Sequence, residues 1–169
     1  MSAQIKAGII GGAGYTGGET VRLLLNHPEV ELIFVQSRSQ AGKPVTTVHH
    51  DLVGETDLRF SEGFSPPVDV LFLCLSHGES KSLLAENDFN STTRIIDLGN
   101  DFRLGDKAGD REFVYGLPEF QREKIKQANN ITNPGCFATT IQLGLLPLAK
   151  AGHLAEVHTT GITGFVTTL

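Results

Sequence analysis

The stretch that decides the fold is "GIIGGAGYTGGET", residues 8–20. It leaves a short apolar run, Ile5–Ile10, crosses a set of glycines and enters residues with helical spacing. Within it, Gly12-x-Gly14-x-x-Gly17 lies directly between the first predicted strand and the first predicted helix. Dinucleotide binding needs that arrangement. One glycine permits the tight turn, one lets the backbone approach the pyrophosphate, and one lets helix and strand pack closely. Amides at the helix N-terminus then face the phosphates. A glycine-rich turn can also be purely structural, but its place after the first strand favours a nucleotide. Gly12, Ala13, Gly14, Tyr15, Thr16 and Gly17 are therefore the first cofactor-binding candidates.

Outward from this loop the chain alternates. Thr16–Asn26 carries Val21, Leu24 and Leu25 at helical spacing and stops at His27-Pro28. Glu31–Gln36 reads as the next strand, followed by a polar loop over 37–54. Val68–Leu75 is apolar on both faces, as a central parallel strand is. Then come a helix over Glu79–Glu86, a strand over Ile95–Leu98, a helix over Gln121–Ala128 and a short strand over Asn130–Thr132. Cys136–Lys150 reads as a long apolar helix, bent by Pro147 and stopped by Gly152, and Val157–Thr163 as one more strand. Such alternation predicts a parallel sheet covered on both faces, a doubly wound, Rossmann-like α/β domain.

Composition narrows the function. The 169 residues suit one domain with the start of a second, and 40% hydrophobic residues fill a core. A net charge of -5 argues against a nucleic-acid partner. The longest apolar run, Val68–Leu75, is interrupted by Asp69 and too short to span a bilayer. The N-terminus runs into a strand pattern without a signal-peptide profile. Two cysteines in different settings suggest no disulfide framework. The expectation is a cytoplasmic protein with no membrane, nucleic-acid or metal partner.

The second strand ends Gln36-Ser37-Arg38-Ser39. A site preferring NAD usually places an acid there for the ribose hydroxyls. One guanidinium and two hydroxyls suit a 2′-phosphate instead, so Ser37, Arg38 and Ser39 point to NADP, the alternative being an exposed loop arginine. Of the cysteines, Cys74 within "VLFLCLS" reads as a small hydrophobe. Cys136 in "NPGCFATT" opens a helix, with Asn133 able to cap, Pro134 suited to the first turn and Gly135 leaving space beside the thiol. Helix-terminal amides favour the thiolate, the nucleophilic form.

Five segments in order, "GGAGYTGGE", "LSHGES", "DLGNDFRL", "VYGLPE" and "NPGCFATT", resemble the N-acetyl-γ-glutamyl-phosphate reductases, from about Ile9 to about Gly164. The resemblance implies that NADPH reduces an acyl phosphate to a semialdehyde with release of phosphate, in arginine biosynthesis. It makes Cys136 the nucleophile, places Ser76, His77 and Gly78 along the nicotinamide, and makes Tyr115, Gly116 and Leu117 a wall of the active site. Arg103 and Asn133 become substrate-binding candidates, with Asn133 and Gly135 holding the Cys136 backbone. For Arg103 a structural pair with Asp97, Asp101 or Asp106 is equally open. His27, His49, His50, His153 and His158 match no catalytic motif and read as ordinary polar positions.

The family's chains are about twice as long. The division expected is therefore 1–150 as the NADP-binding domain and 151–169 as the start of a truncated α+β substrate domain, with the family's acid/base histidine beyond it. The full-length form is expected to be a homo-oligomer acting on a small acyl phosphate, and this chain to bind NADPH without turnover. Two alternatives stand: a sister reductase acting on an aminoadipyl or aspartyl phosphate, and a non-catalytic NADP-binding redox or regulatory module.

Overall fold

In a computed structural model of the chain, which describes residues 4–64 and 67–162, the alternation becomes one sheet with helices on both faces. The elements are β1 (Ile5–Ile10), α1 (Tyr15–Leu25), β2 (Val30–Gln36), β3 (Phe60–Ser61), β4 (Val70–Leu73), α2 (Glu79–Glu86), β5 (Arg94–Asp97), β6 (Val114–Tyr115), α3 (Pro118–Gln127), β7 (Asn130–Thr132) and α4 (Cys136–Lys150). The strand order is β3-β2-β1-β4-β5-β7-β6, and every pairing is parallel. The chain winds from β1 to β2 and β3 in one direction and from β4 onward in the other. The switch point lies between β1 and β4, where open α/β sheets bind ligands.

Alternate side chains of the strands feed two cores. Ala7 and Ile9 of β1 and Val35 of β2 pack with Val21 and Leu24 of α1 on one face. Ile10, Phe34, Leu71, Leu73 and Ile95 pack with Leu83 of α2 on the other. Each full burial of such a side chain contributes about 1.5–3 kcal/mol. This is why the central strands read as continuous apolar runs rather than alternating ones.

Several boundaries differ from the sequence reading, each for a local reason. β3 and β6 are two residues long, too short for any periodic signal. Helix α3 starts at Pro118 rather than Gln121, with the proline in its first turn. Gln121 itself has non-helical angles (φ -130, ψ 28), so the regular pattern resumes only after it. The expected strand over Val157–Thr163 is not formed across Val157–Ile162, which is exposed and pairs with no described strand; Thr163 lies outside the described residues. Gly152 does terminate α4: it takes φ +72, its amide donates to the Ala149 carbonyl (3.1 Å), and the His153 amide reaches Leu148 (3.0 Å). No helix among the described residues is long and apolar enough to cross a membrane.

Candidate functional site

The glycine loop separates the roles that the sequence assigned jointly. The tight turn belongs to Gly11, one residue before the motif, at φ +83 with the Cys74 carbonyl only 2.3 Å from where a Cβ would stand. Gly12 packs against β2, since a Cβ there would meet Val35 Cγ1 at 2.1 Å. Gly17 lets α1 approach the loop, since a Cβ there would stand 2.6 Å from Gly11 O and 2.7 Å from Gly12 Cα. Gly14 alone is open: the nearest atom to a Cβ is Gly11 O, at 3.8 Å. It caps α1 without a side chain, leaving first-turn amides to an external acceptor.

Ala13 and Gly14, Ser37 to Ser39 after β2, and Ser76 to Gly78 after β4 line one crevice of about 800 Å³ at the switch point. Gly12 and Gly17 stand behind it as packing, while Tyr15 and Thr16 are in the first turn of α1 and do not line it. The Arg38 side chain is exposed and makes no hydrogen bond or ion pair among the described residues. Ser37 Oγ lies 3.4 Å from Ser39 Oγ. Gln36 is buried where an acid would serve a ribose. Its Oε1 accepts from the Gly11 amide (3.4 Å) and its Nε2 donates to the Glu62 carbonyl (3.0 Å), so it braces the loop.

Sequence reading missed Gln36, Phe64 and Glu79 as lining residues, and Cys74 also borders the crevice. Glu79 accepts the Ser76 amide at 2.9 Å, shaping the loop before α2. Burial pushes the Cys74 thiol up to about 11, against a bond with the Thr20 hydroxyl (3.6 Å) that pulls it down. That thiol is inert at neutral pH.

Cys136 is exposed and is the first residue of α4, with Gly135 as its N-cap and no capping side chain. Asn133 is not the cap. Its Nδ2 donates to the Pro134 carbonyl (3.1 Å) and its amide to the Asp97 carbonyl (2.7 Å), which fixes the turn instead. Cys136, Asn133 and Thr139 share a hollow of about 550 Å³ with Gly116, Leu117 and Glu119. The "YGLPE" and "NPGC" segments thus face one space. Tyr115 stands behind it, its hydroxyl donating to Gln142 Oε1 at 3.2 Å.

The loop after β5 ties the two hollows together. Asp101 accepts from the Gly78 amide (2.7 Å) and the Lys81 amide (3.0 Å), capping α2. Burial alone would raise its pKa, but those two amides, with His77 and Lys81 nearby, bring it below the ordinary value. His77 Nδ1 lies 2.6 Å from Asn100 Oδ1 and 3.3 Å from Asp101 Oδ1. Phe102 is fully buried and stacks on Phe113 with centroids 4.0 Å apart. Arg103 then donates through Nε to the Asn133 carbonyl (2.9 Å) and through Nη2 to the Leu98 carbonyl (3.2 Å). It forms no ion pair with Asp97, Asp101 or Asp106 among the described residues; Asp106 pairs with Lys81 at 2.7 Å.

A larger hollow, about 1500 Å³, lies at the opposite ends of the strands and is lined in part by Phe89, Asn90, Arg111 and Asn130. Its guanidinium is occupied by the carbonyls of Phe89, Asn90 and Thr93 and by Asn130 Oδ1, all at 2.8–3.1 Å. Of the sequence motifs only "VYGLPE" touches it, through Val114.

Residues 6–128 match the family of the semialdehyde dehydrogenase NAD-binding domain. The chain is 55% identical over 162 residues to an N-acetyl-gamma-glutamyl-phosphate reductase of Christiangramia forsetii, covering 95% of this chain and 50% of that protein. It is also 55% identical over 167 residues to the reductase of the same name from Flavobacterium johnsoniae, covering 95% and 51%. The chain spans about half the length of the curated relatives it matches. Among solved structures, aspartate semialdehyde dehydrogenase with NADP from Candida albicans superposes with a TM-score of 0.61 at 20% identity, over 90% of this chain and 48% of that one. That likeness shares the fold.

Proposed function

The chain belongs to the semialdehyde dehydrogenase NAD-binding-domain family, and on that premise we propose that it is the cofactor-binding, thiol-bearing half of an N-acetyl-γ-glutamyl-phosphate reductase using NADP. The single observation that carries this reading is the exposed Cys136 at the start of α4. It shares a hollow with "YGLPE" on the sheet whose switch point carries the glycine-loop crevice. Identity of 55% with two reductases of that name supports the substrate class.

The crevice residues fit a dinucleotide. Ala13, Gly14 and the first-turn amides of α1 would hold the pyrophosphate, Arg38 with Ser37 and Ser39 the 2′-phosphate, and Ser76 to Gly78 the nicotinamide end. When bound, NADPH supplies a hydride. The Cys136 thiolate attacks the acyl carbon of the acyl phosphate: a C–S bond forms, the C–O bond to phosphate breaks, and inorganic phosphate leaves. The uncapped amides of α4 are placed to receive negative charge developing on the acyl oxygen. Arg103 Nη1 has no hydrogen-bond partner among the described residues and lies beside Gly135, which suits it to the substrate's phosphate or carboxylate. Asn133, whose carbonyl Arg103 holds, orients the same turn.

On this reading, residues from Ala151 onward begin the substrate domain. Phe137, Leu143 and Leu148 of α4 are exposed and offer that domain an apolar face, and the full-length protein on this reading is a cytoplasmic homo-oligomer without nucleic-acid or membrane partners. The test is trapping. The chain is incubated with N-acetyl-γ-glutamyl phosphate, and peptide mass mapping follows. Acylation of Cys136, abolished in Cys136→Ser, is expected. An unmodified Cys136, or equal acylation of Cys74, refutes the proposal.

A further inference from the structure

The loop between β2 and β3 carries a contact that the cofactor reading does not use. His49 Nε2 lies 2.8 Å from the Gly12 carbonyl oxygen. A carbonyl only accepts, so Nε2 carries the proton and donates. The imidazole also covers Gly18, where a Cβ would meet ring atoms Cε1 and Nδ1 at 2.5 Å, and it stands edge-on to Phe60 with centroids 6.2 Å apart. Its own backbone is anchored at both ends: the His49 amide donates to Val45 O (3.0 Å) and its carbonyl accepts from the Leu52 amide (3.1 Å). Val45 and Leu52 are buried in the α1-side core. A side chain 37 positions from Gly12 is thus held rigidly against the cofactor loop.

The contact fixes the direction of one amide. The Gly12 amide is already bonded to the Gln36 carbonyl at 2.8 Å, so the peptides on both sides of the Gly12 Cα are held. A trans peptide is planar, with its C=O and N–H pointing in opposite directions. With the Gly12 carbonyl turned to His49, the amide of the same peptide, that of Ala13, points away from His49. Ala13 lines the switch-point crevice, and its amide has no hydrogen-bond partner among the described residues. We infer that His49 is a positioning residue for the dinucleotide: by clamping the Gly12 carbonyl it holds the Ala13 amide aimed at the pyrophosphate. The inference rests on the proposed cofactor reading and adds to it a residue outside every motif.

The experiment compares the wild-type chain with His49→Phe, which keeps a ring against Gly18 and Phe60 but removes the donor. His49→Gln, which carries an N–H near the position of Nε2, completes the set. Calorimetry measures NADPH and adenosine 2′-monophosphate, which contacts the Arg38 end but has no pyrophosphate. Losing one neutral hydrogen bond predicts NADPH binding about 3- to 10-fold weaker in His49→Phe, with adenosine 2′-monophosphate unchanged and His49→Gln close to wild type. Equal losses for both ligands, or no loss for NADPH, overturn the inference while leaving the cofactor reading standing. Failure of the wild type to bind NADPH overturns the cofactor reading itself, and the inference with it. A measurement that needs no variant is the amide spectrum of the ¹⁵N-labelled wild type titrated with inorganic pyrophosphate. The Ala13 amide is expected to shift among the most, and an unmoved Ala13 amide refutes the assignment even if His49→Phe does not fold.

Discussion

The division of labour among the loop glycines can be tested through Gly17→Ala. A Cβ at Gly17 would stand 2.6 Å from Gly11 O and 2.7 Å from Gly12 C and Cα, all backbone atoms. Ordinary carbon contacts lie at about 3.5–4.0 Å, so α1 and the loop must separate by roughly 1 Å. Neither partner can yield easily. Gly11 is held at φ +83 beneath the Cys74 carbonyl, and Gly12 sits on Val35. Alanine gains about 0.8–1 kcal/mol over glycine in a helix. Overpacking costs about 1–3 kcal/mol, and a backbone-on-backbone clash belongs at the upper end of that range. Strain therefore wins by about 1–2 kcal/mol. For a chain of this size that lowers Tm by about 2–8 °C, read by circular dichroism without cofactor. Gly14→Ala is the control. Its Cβ meets nothing nearer than 3.8 Å, so Tm should stay within about 2 °C, while NADPH binding falls by about 10-fold or more because the methyl occupies the phosphate's approach. A Gly17→Ala chain as stable as wild type, or a Gly14→Ala chain that binds NADPH normally, would refute the reasoning.

Three further outcomes follow from the same geometry. Arg38→Ala should weaken NADPH by about 10- to 100-fold and barely change NADH, since only the 2′-phosphate loses a charged partner; calorimetric losses equal for the two cofactors would exclude that role. Brief iodoacetamide treatment near neutral pH should label exposed Cys136 and spare Cys74, whose thiol is pushed up to about 11, until the chain unfolds; mass mapping that finds Cys74 labelled first contradicts this. Asp101→Ala should cost about 1–2 kcal/mol as a lost cap of α2. Because the folded carboxyl titrates below its ordinary value, this stabilisation is complete above about pH 4 and fades as pH falls through the folded-state value; Asp101→Ala should flatten that part of the stability profile, as measured by urea titrations across pH.

What could be read from the sequence was what periodicity and motif spacing encode. The strands around the switch point are apolar on both faces, so β1, β2 and β4 were legible, and with them the place of the glycine loop and of Arg38 at the crevice. Two-residue strands such as β3 and β6 carry no period and were not. The reading of Asn133 as a cap failed because α4 begins at Cys136 with Gly135 in the N-cap position, two residues beyond Asn133, whose Nδ2 donates to the Pro134 carbonyl. Gln36 and His49 escaped for another reason. Each acts on the loop from far along the chain, and no local pattern announces a contact between positions 49 and 12. Gly11 was passed over because the motif's spacing starts one residue later, whereas the positive φ falls before it.

The loop from Leu98 to Arg103 joins the turn that carries Cys136 to the switch-point crevice, whose lining Cys136 does not share. Asp101 binds the amides of Gly78 and Lys81, so the loop is fixed to the end of the crevice that follows β4. Two residues later Arg103 holds the Asn133 carbonyl, so the same loop is fixed to the turn that carries Cys136. Phe102 lies between them, fully buried and stacked on Phe113, and removes the freedom that would let one end move without the other. A parallel sheet alone sets strand ends only within the tolerance of its loops. This second set of bonds locks the end of β4 to the end of β7 across β5. The guanidinium also lies close over Gly135: a Cβ there would come within 2.8 Å of Nη1, the free end of the Arg103 side chain, which would have to shift to admit it.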